Sequence, residues 1–360
     1  MRNPFTPTFG APPPLLVGRA GLLDLFQDAL DEGPGSPGFA TVYTGGRGVG
    51  KTVMLNAAED LARAAGFAVI SETATPGFLE RITGTHLPAL LPKQRRKVKG
   101  FNVAPAGGIE LEPSVQHGQI LRTMVEEFTL TRRLLITLDE LQAGSLGELR
   151  ELSVVLQHAV REGRQFAFCG AGLPASLDDL LRDSGVTFIR RADRHTLGAA
   201  SKHAVAEAFE AVVTASGRAI EPEVAAAAAE STGGYPFLIQ LVGYRTWRQH
   251  PNVAGITTED VVAGAEEANR RVGTLVFEPA FRDLSAVDRT FLLKMANDDI
   301  ASTMADIAAR MGVDANYASQ YRLRLIAAGL IEAAGHGKVT FTLPRLREWL
   351  REHAVYDTVN

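Results

Sequence analysis

The stretch TGGRGVGKT, from Thr44 to Thr52, constrains the fold more than any other part of the chain. Its last eight residues fit G-x-x-x-x-G-K-[ST], a loop whose backbone amides surround phosphate groups. The β-rich run FATVYT precedes it, and KTVMLNAAEDLARAAG follows it with helical spacing. A strand, a glycine-rich loop and a helix are the context that this motif requires, so the sequence predicts a phosphate-binding loop.

The residue types in this loop predict its ligand. We expect Gly45, Gly48 and Gly50 to adopt positive φ, so that successive amides point at phosphate oxygens. Lys51 would place its charge on the β- and γ-phosphates, and Thr52 would offer its hydroxyl to Mg²⁺. The predicted cofactors are therefore ATP or ADP and Mg²⁺. The predicted cofactor-binding residues of the loop are Gly45, Gly46, Arg47, Gly48, Val49, Gly50, Lys51 and Thr52.

An acidic pair follows the segment RRLLITL. The run Leu134–Leu138 is mostly apolar, as in a strand covered on both faces. Asp139 and Glu140 then lie at the carboxyl end of this strand, where open α/β sheets bind ligands. We expect Asp139 to bind Mg²⁺ together with Thr52. Glu140 would orient or deprotonate the attacking water, so Asp139 and Glu140 are the candidate catalytic residues of this segment.

Strands alternate with helices up to about residue 195. Strands are predicted at Phe39–Thr44, Phe67–Ala74, Val186–Arg191 and in the runs LLITLD and RQFAFCGAGLP. This alternation predicts an α/β fold with a parallel sheet and helices on both faces. After about Asp193 we expect Ala-rich amphipathic helices and no strands before the carboxyl-terminal module. The predicted domains are an N-terminal strap (1–14), a P-loop ATPase core (15–195), a helical lid (196–280) and a winged helix-turn-helix (281–355).

The carboxyl-terminal segment has the pattern of a winged helix-turn-helix. LSAVDRTFLLKMAND, STMADIAARMG and ANYASQYRLRLIAAGLI predict three helices, and IEAAGHGKVTFTLP predicts a two-stranded wing bent at 335–337. The solvent face of the third helix carries residue types that read base edges and phosphates. With one lysine from the wing, the predicted DNA-binding residues are Asn316, Gln320, Arg322, Arg324 and Lys338.

Charge limits a DNA contact to a local patch. The net charge of −4 excludes a broad basic coat. Residues 282–357 contain ten basic and ten acidic side chains, whereas dedicated DNA readers normally carry a basic footprint. The basic run at 93–99 is a second possible contact with DNA, a solvated charged loop, or a docking surface for an adjacent subunit. Double-stranded DNA, a second copy of the chain and a protein partner all stay open.

The remaining composition indicates a cytoplasmic protein with no membrane partner. The single cysteine, Cys169, cannot form an internal disulfide, which suits a reducing compartment. No apolar run approaches the ~20 residues of a membrane helix. The proline-interrupted amino terminus does not predict a signal peptide.

The order of LLVGRAGLLDLF, GGRGVGKT, LLITLDE, FAFCGAGLP and GGYPFLIQ resembles the AAA+/STAND ATPases. The resemblance is closest to bacterial and archaeal proteins that share an ATPase module with replication initiators of the origin-recognition class, and it covers about residues 15–350. It implies an AAA+ core in which Val17, Gly18 and Arg19 line the adenine side. It also implies that Gly234 and Pro236 let the lid close over the nucleotide, although the same residues are typical of an ordinary helix start.

The sequence departs from the family pattern at residues that normally sense the phosphates or support ATP hydrolysis. The lid has GGYPFL without the arginine that initiators use as a second sensor, as in a STAND switch. The strand that should end in the polar residue called sensor 1 ends in FAFCGAGLP, and Cys169 there is more typical of a buried apolar cysteine. An arginine finger would come from a neighbouring subunit. Arg182 has about the family's position, and Arg190 and Arg191 are alternatives.

These features predict an ATP-binding, slowly hydrolysing switch whose nucleotide state controls a winged helix that acts on DNA. The alternative is a nucleotide-gated signalling or defence scaffold that oligomerises or binds a protein, and not DNA. A motor with continuous turnover is a third possibility, against which the missing sensor 1 argues.

Overall fold

The computed structural model describes residues 2–8, 13–91, 102–103, 109–110 and 117–353, and these divide into two compact units. The sheet unit comprises Ala20–Gly45 and Lys51–Leu197. The helical unit comprises Met1–Arg19, Gly46–Gly50 and Gly198–Asn360. The central residues of the phosphate loop therefore belong to the helical unit by their packing.

A five-stranded parallel sheet forms the centre of the sheet unit. The strands of this unit are β1 (Ala40–Thr44), β2 (Phe67–Thr73), β3 (Asn102–Val103), β4 (Ile109–Glu110), β5 (Arg133–Asp139), β6 (Phe166–Gly172) and β7 (Asp193–Thr196). The order in the sheet is β2-β5-β6-β1-β7, and β3 pairs separately with β4 in antiparallel fashion. Because parallel strands run the same way, the carboxyl ends of β1, β5 and β6 lie at one edge of the sheet.

Helices cover both faces of this sheet, as predicted. The helices of the unit are α1 (Ala20–Glu32), α2 (Lys51–Ala64), α3 (Phe78–Arg81), α4 (Leu87–Leu90), α5 (His117–Phe128), α6 (Leu146–Arg161), α7 (Pro174–Leu181) and α8 (Thr187–Arg190). On β5, Ile136 and Leu138 join a buried cluster with apolar residues of α5 and α6. Thr137 points to the opposite face, where its hydroxyl donates to Glu59 of α2 at 2.6 Å. The predicted α/β fold is confirmed.

The strand predicted at Val186–Arg191 is wrong. This segment is helical, because Asp183 accepts the backbone N–H of Gly185 at 2.8 Å and starts a helical turn. Val186 and Ile189 are then buried at helical spacing, which overrides their β propensity. The last strand of the sheet is β7, whose sequence DRHT alternates between half-buried and exposed positions at the sheet edge.

The amino-terminal residues of the helical unit pack against its helices. Its helices are α9 (Lys202–Ala215), α10 (Pro222–Thr232), α11 (Pro236–Gln249), α12 (Thr258–Val272), α13 (Glu278–Arg282), α14 (Ala286–Met295), α15 (Met304–Met311), α16 (Ala315–Ala327) and α17 (Leu346–His353). Phe5 is buried, with its ring centroid 5.6 Å from that of Phe209. A short parallel pair that was not predicted, β8 (Ala219–Ile220) with β9 (Gly255–Ile256), lies among these helices.

The carboxyl-terminal part of this unit combines helices α14–α16 with an antiparallel sheet. Its strands are β10 (Ser302–Thr303), β11 (Ile331–Ala333) and β12 (Lys338–Phe341), in the order β10-β12-β11. Thr303 caps α15 by accepting the N–H of Asp306 at 3.1 Å, as the capping pattern predicted. The hairpin between β11 and β12 turns where Gly335 and Gly337 have φ of 102° and 65°.

Two further predictions concern membranes and the basic run. Within the part of the chain that the structure describes, no helix combines the length and the apolar character needed to cross a membrane. The basic run at 93–99 lies outside the described residues.

Candidate functional site

The phosphate loop turns on two of its glycines. Gly48 and Gly50 have φ of 72° and 92°, a region that glycine reaches without strain. Gly45 does not adopt positive φ, so this part of the prediction is wrong. Gly45 directly continues strand β1, and the chain turns only at Arg47–Gly48.

Lys51 and Thr52 form the first turn of α2 and place a cation near the carboxyl end of β1 and a hydroxyl near that of β5. The Lys51 ammonium is buried and donates to the carbonyl of Gly45 at 3.0 Å. The Thr52 hydroxyl donates to Asp139 Oδ2 at 2.5 Å. The backbone N–H groups and the dipole of a helix start favour an anion here. The structure thus brings together three of the predicted residues in the sheet unit.

The oxygen atoms of Thr52 and Asp139 are of the type that Mg²⁺ prefers. Among the described residues no group of three or more acidic, histidine or cysteine side chains would hold a metal ion. A magnesium ion at these two side chains would therefore need phosphate oxygens or waters to complete its coordination. This fits a metal that arrives with a nucleotide.

Glu140 follows β5 in a backbone conformation that is uncommon for a residue with a side chain. Its φ and ψ are 54° and 46°, in the left-handed region. The backbone is held on both sides: the N–H of Glu140 donates to Asp139 Oδ1 at 2.8 Å, and its carbonyl accepts the N–H of Ala143 at 2.7 Å. Such conformations persist only where neighbouring bonds impose them, and they concentrate at functional sites. The Glu140 side chain is exposed to solvent.

The strand next to β5 ends without a polar side chain. Its last residues are Gly170, Ala171 and Gly172. Cys169 lies within β6 and is fully buried, and burial raises the pKa of its thiol. A thiol in this position is a small apolar group of the core. The interpretation of Cys169 as a buried cysteine is confirmed.

Tyr235, to which the sequence analysis assigned no function, contacts the phosphate loop within the helical unit. Its hydroxyl donates to the carbonyl of Arg47 at 3.0 Å, and its side chain is buried. A Cβ added to Gly48 would lie 1.8 Å from the Tyr235 oxygen. Arg47 in turn donates through Nε to the carbonyl of Ala328, which follows α16, at 3.1 Å. Tyr235 and Arg47 lie far apart in the sequence, so no local pattern could have predicted the contact between them.

In the segment GGYP, from Gly233 to Pro236, each residue has a different structural role. Gly233 ends α10 with φ of 57°, and Pro236 starts α11. A Cβ added to Gly234 would lie 2.1 Å from the carbonyl oxygen of Ala200, so only glycine fits there. Pro236 therefore has the ordinary role of a helix start, which leaves its predicted contact with a nucleotide as a prediction.

The residues predicted for the adenine side also lie in the helical unit. Val17 and Gly18 form a turn in which Gly18 has φ of 67°. The Arg19 guanidinium donates to the carbonyl of Gly198, and its burial lowers its pKa. Arg19 is therefore engaged with the start of the segment that leads into α9.

The candidate arginine fingers are on the surface of the sheet unit. Arg182 ends α7, has 80% of its side chain exposed, and pairs with Asp179 of the same helix at 3.1 Å. Arg190 and Arg191 are also exposed.

The predicted DNA-binding residues divide into two groups. Asn316, Gln320 and Lys338 are exposed. Arg324 is also exposed, with 58% of its side chain accessible, and it pairs at 2.9 Å with Asp288, whose side chain is only 3% exposed. Arg322 is half-buried. Arg324 therefore stabilises the packing of α14 against α16.

The carboxyl-terminal region matches a sequence family, and the fold of the whole chain matches solved structures. A family model described as a domain of unknown function (DUF8462) matches residues 274–350. No curated protein sequence matches the chain. Among solved structures, a Walker-type ATPase of Pyrococcus abyssi superposes with a TM-score of 0.67 at 16% identity, covering 93% of this chain and 96% of that chain.

Two further solved structures are similar over nearly the whole chain. The ORC2 protein of Aeropyrum pernix, solved in ADPNP-ADP complexes, gives a TM-score of 0.63 at 15% identity and covers 98% of each chain. Cdc6p of Pyrobaculum aerophilum gives 0.52 at 17% identity, covering 98% of this chain and 97% of that chain. The chain has the fold of an AAA+ P-loop ATPase. At these identities the likeness extends to the fold alone.

Proposed function

We propose that this AAA+-fold chain binds Mg·ATP at its phosphate loop, hydrolyses it slowly, and acts as a nucleotide-controlled switch. The observation that carries the proposal is the contact of the Thr52 hydroxyl with the Asp139 carboxylate at 2.5 Å, beside the buried Lys51 ammonium. These are a cation and two oxygen ligands at the edge of the sheet where phosphates bind in P-loop proteins.

Each of these residues has a separate part in binding and hydrolysis. Lys51 neutralises the terminal phosphates after leaving its contact with the Gly45 carbonyl. Thr52 and Asp139 would hold Mg²⁺, and the ion would supply positive charge to the phosphates of the nucleotide. The exposed Glu140 carboxylate orients the attacking water and accepts its proton.

Slow rather than fast turnover is supported by the end of β6. The residues Gly170, Ala171 and Gly172 bring no side chain that donates a hydrogen bond to the γ-phosphate or to the water. The candidate finger arginines are exposed, so any arginine contribution would require a second copy of the chain. An isolated chain would therefore bind ATP but lack part of the usual transition-state stabilisation.

A switch is supported by the two contacts of Arg47 within the helical unit. The Tyr235 hydroxyl and the Ala328 carbonyl bind opposite groups of this one loop residue, its backbone carbonyl and its guanidinium. A nucleotide can shift a conformational equilibrium only by its differential affinity for the two states. Phosphate binding that rearranges Arg47 would change both contacts, and this provides such a difference.

For the output, we propose that α14–α16 with the β11–β12 hairpin form a winged helix that contacts DNA. Asn316 and Gln320 on α16 and Lys338 in the hairpin are exposed and of suitable chemistry. Arg324 pairs with the buried Asp288 while 58% of its side chain is exposed, so it stabilises this module and is also accessible to a phosphate.

A specific observation favours a protein partner as the second candidate. Leu323, on the same helix as Asn316 and Gln320, is 62% exposed, and Tyr317 is 38% exposed. An apolar side chain in the middle of such a helix suits a protein surface or a second copy of the chain more than phosphates. In this alternative the nucleotide governs assembly as a signalling or defence scaffold.

Nucleotide binding is tested first by titrating the protein with ATP and ADP, with and without Mg²⁺. Lys51→Ala should weaken binding on the order of 100-fold, whereas Lys202→Ala, which removes a surface lysine of α9, should leave it unchanged. Equal affinities of wild type and Lys51→Ala would contradict the proposal. Melting temperatures of both variants show whether the fold is kept.

The output is tested by duplex binding over a series of salt concentrations. DNA contact predicts that Lys338→Ala lowers the slope of log K against log[salt] by about 1. Lys202→Ala is again the matched control. No duplex affinity, together with an ATP-dependent change in mass that Leu323→Asp removes, would support the scaffold and contradict the DNA proposal.

A further inference from the structure

Gln142, in the turn Leu141–Ala143 after β5, connects the ends of two neighbouring strands. Its side-chain nitrogen donates to a carboxylate oxygen of Glu140. Its side-chain oxygen accepts the backbone N–H of Leu173, the residue after β6, at 3.0 Å. We propose that Gln142 is the positioning residue that orients Glu140 for ATP hydrolysis. This inference rests on the proposed function.

The glycines at the end of β6 leave room for Gln142. A Cβ added to Gly172 would lie 2.8 Å from Gln142 Oε1, and one added to Gly170 would lie 2.7 Å from Leu141 Cδ1. Contacts this short force a neighbour to move, so a side chain at position 172 would displace the Gln142 side chain and one at position 170 the Leu141 side chain. The same residues that deprive β6 of a polar sensor therefore admit a polar side chain from the adjacent loop.

Glu140 needs a partner to hold its carboxylate in one orientation. Its backbone is fixed by the bonds to Asp139 and Ala143, but its side chain is exposed and has several rotatable bonds. The Gln142 amide occupies one carboxylate oxygen, which leaves the other oxygen for a water. Gln142 is itself held by the Leu173 N–H, so the orientation is transmitted from the end of β6.

The step that depends on this orientation is the attack of water on the γ-phosphate. The water oxygen bonds to phosphorus, the bond from phosphorus to the bridging oxygen breaks, and that oxygen leaves with the electron pair as part of ADP. The water proton passes to the free oxygen of Glu140 and then to solvent. Because Glu140 contacts the water and Lys51 the phosphates, loss of orientation should lower kcat and leave nucleotide affinity unchanged.

The test is a double-mutant cycle of Gln142→Ala and Glu140→Gln, measured by single-turnover hydrolysis of ATP and by nucleotide titration. We expect Gln142→Ala to lower the hydrolysis rate by about tenfold, with the dissociation constant for ATP changed by less than about twofold. In the Glu140→Gln background, Gln142→Ala should cause no further loss, because it acts through Glu140. Gln157→Ala, an exposed glutamine of α6, is the matched control and should behave as wild type.

The outcomes separate this inference from the proposed function. Equal losses in both backgrounds, or an unchanged rate in Gln142→Ala, would overturn the positioning role while nucleotide binding stands. Binding of ATP by wild type without hydrolysis would also overturn it. Failure of wild type to bind ATP would overturn the proposed function itself. Melting temperatures distinguish a rate effect from unfolding.

Discussion

The carboxyl ends of β5 and β6 lie side by side at one edge of the sheet, yet they differ in chemistry. β5 ends in Asp139, which Glu140 follows, and Asp139 accepts hydrogen bonds from Thr52 and from the Glu140 backbone. β6 ends in Gly170, Ala171 and Gly172, with no polar side chain. A carboxylate that would serve nucleotide binding is therefore present at the end of β5, whereas a polar side chain that would speed hydrolysis is missing from the end of β6. We infer that binding and rapid turnover are separable in this fold.

The largest expected effect is the loss of ATP affinity when Lys51 is replaced. Lys51→Ala removes the buried ammonium that faces the loop, and ATP affinity should fall on the order of 100-fold, equivalent to ~3 kcal/mol. Titration calorimetry measures this loss. A variant that folds and still binds ATP within a few-fold of wild type would break the comparison, because binding would then not depend on this end of the sheet.

Asp139→Asn should have the next largest effect. It keeps the size of the side chain but removes the charge that accepts from Thr52, so Mg²⁺ should strengthen ATP binding about tenfold less than in wild type. Affinities measured with Mg²⁺ and with a chelator give this ratio. An unchanged Mg²⁺ dependence would mean that Asp139 serves only the packing of Thr52.

The variant Gly172→Ala tests whether the carboxyl end of β6 holds Gln142 in position. The new methyl group would lie 2.8 Å from Gln142 Oε1 and should displace this side chain, lowering the hydrolysis rate by roughly threefold to tenfold with ATP affinity unchanged. Gly147→Ala, in the first turn of α6 where an added Cβ meets no atom within 4 Å, is the control. If the β6 variant hydrolyses ATP at the wild-type rate, the end of β6 has no part in positioning.

Cys169→Ser should have the smallest effect on chemistry. A hydroxyl in this fully buried position should reduce the free energy of unfolding by about 1–3 kcal/mol unless it finds a hydrogen-bond partner. The hydrolysis rate per folded molecule should not change. Denaturant unfolding and turnover measured on the same sample test both statements, and a raised rate would assign Cys169 the role of a sensor.

The elements that the sequence predicted correctly are those with a local cause. The apolar run Leu134–Leu138 is buried on both faces of the sheet, and the glycines Gly48 and Gly50 have the positive φ that the loop motif requires. Thr303 caps α15 through the spacing that indicated it. In each case the determining residues lie within a few positions of one another.

The features that the sequence did not predict depend on distant partners. The segment Thr187–Arg190 is helical because Asp183 starts the preceding turn, and Arg150 of α6 holds Asp183 at 2.9 Å. The contact of Tyr235 with Arg47 joins residues 188 positions apart. Gln142 is close to Glu140 in sequence, but its importance depends on Leu173, the residue that follows β6. No periodicity or motif marks such pairs.

The most direct test of the account is to release and identify the nucleotide in the purified protein and to measure steady-state ATP turnover of the same preparation. The account predicts close to one ADP or ATP per chain and a turnover well below the ~1–1000 per second of typical enzymes. An empty protein with turnover in that range would contradict it, because the bare end of β6 would then not limit hydrolysis.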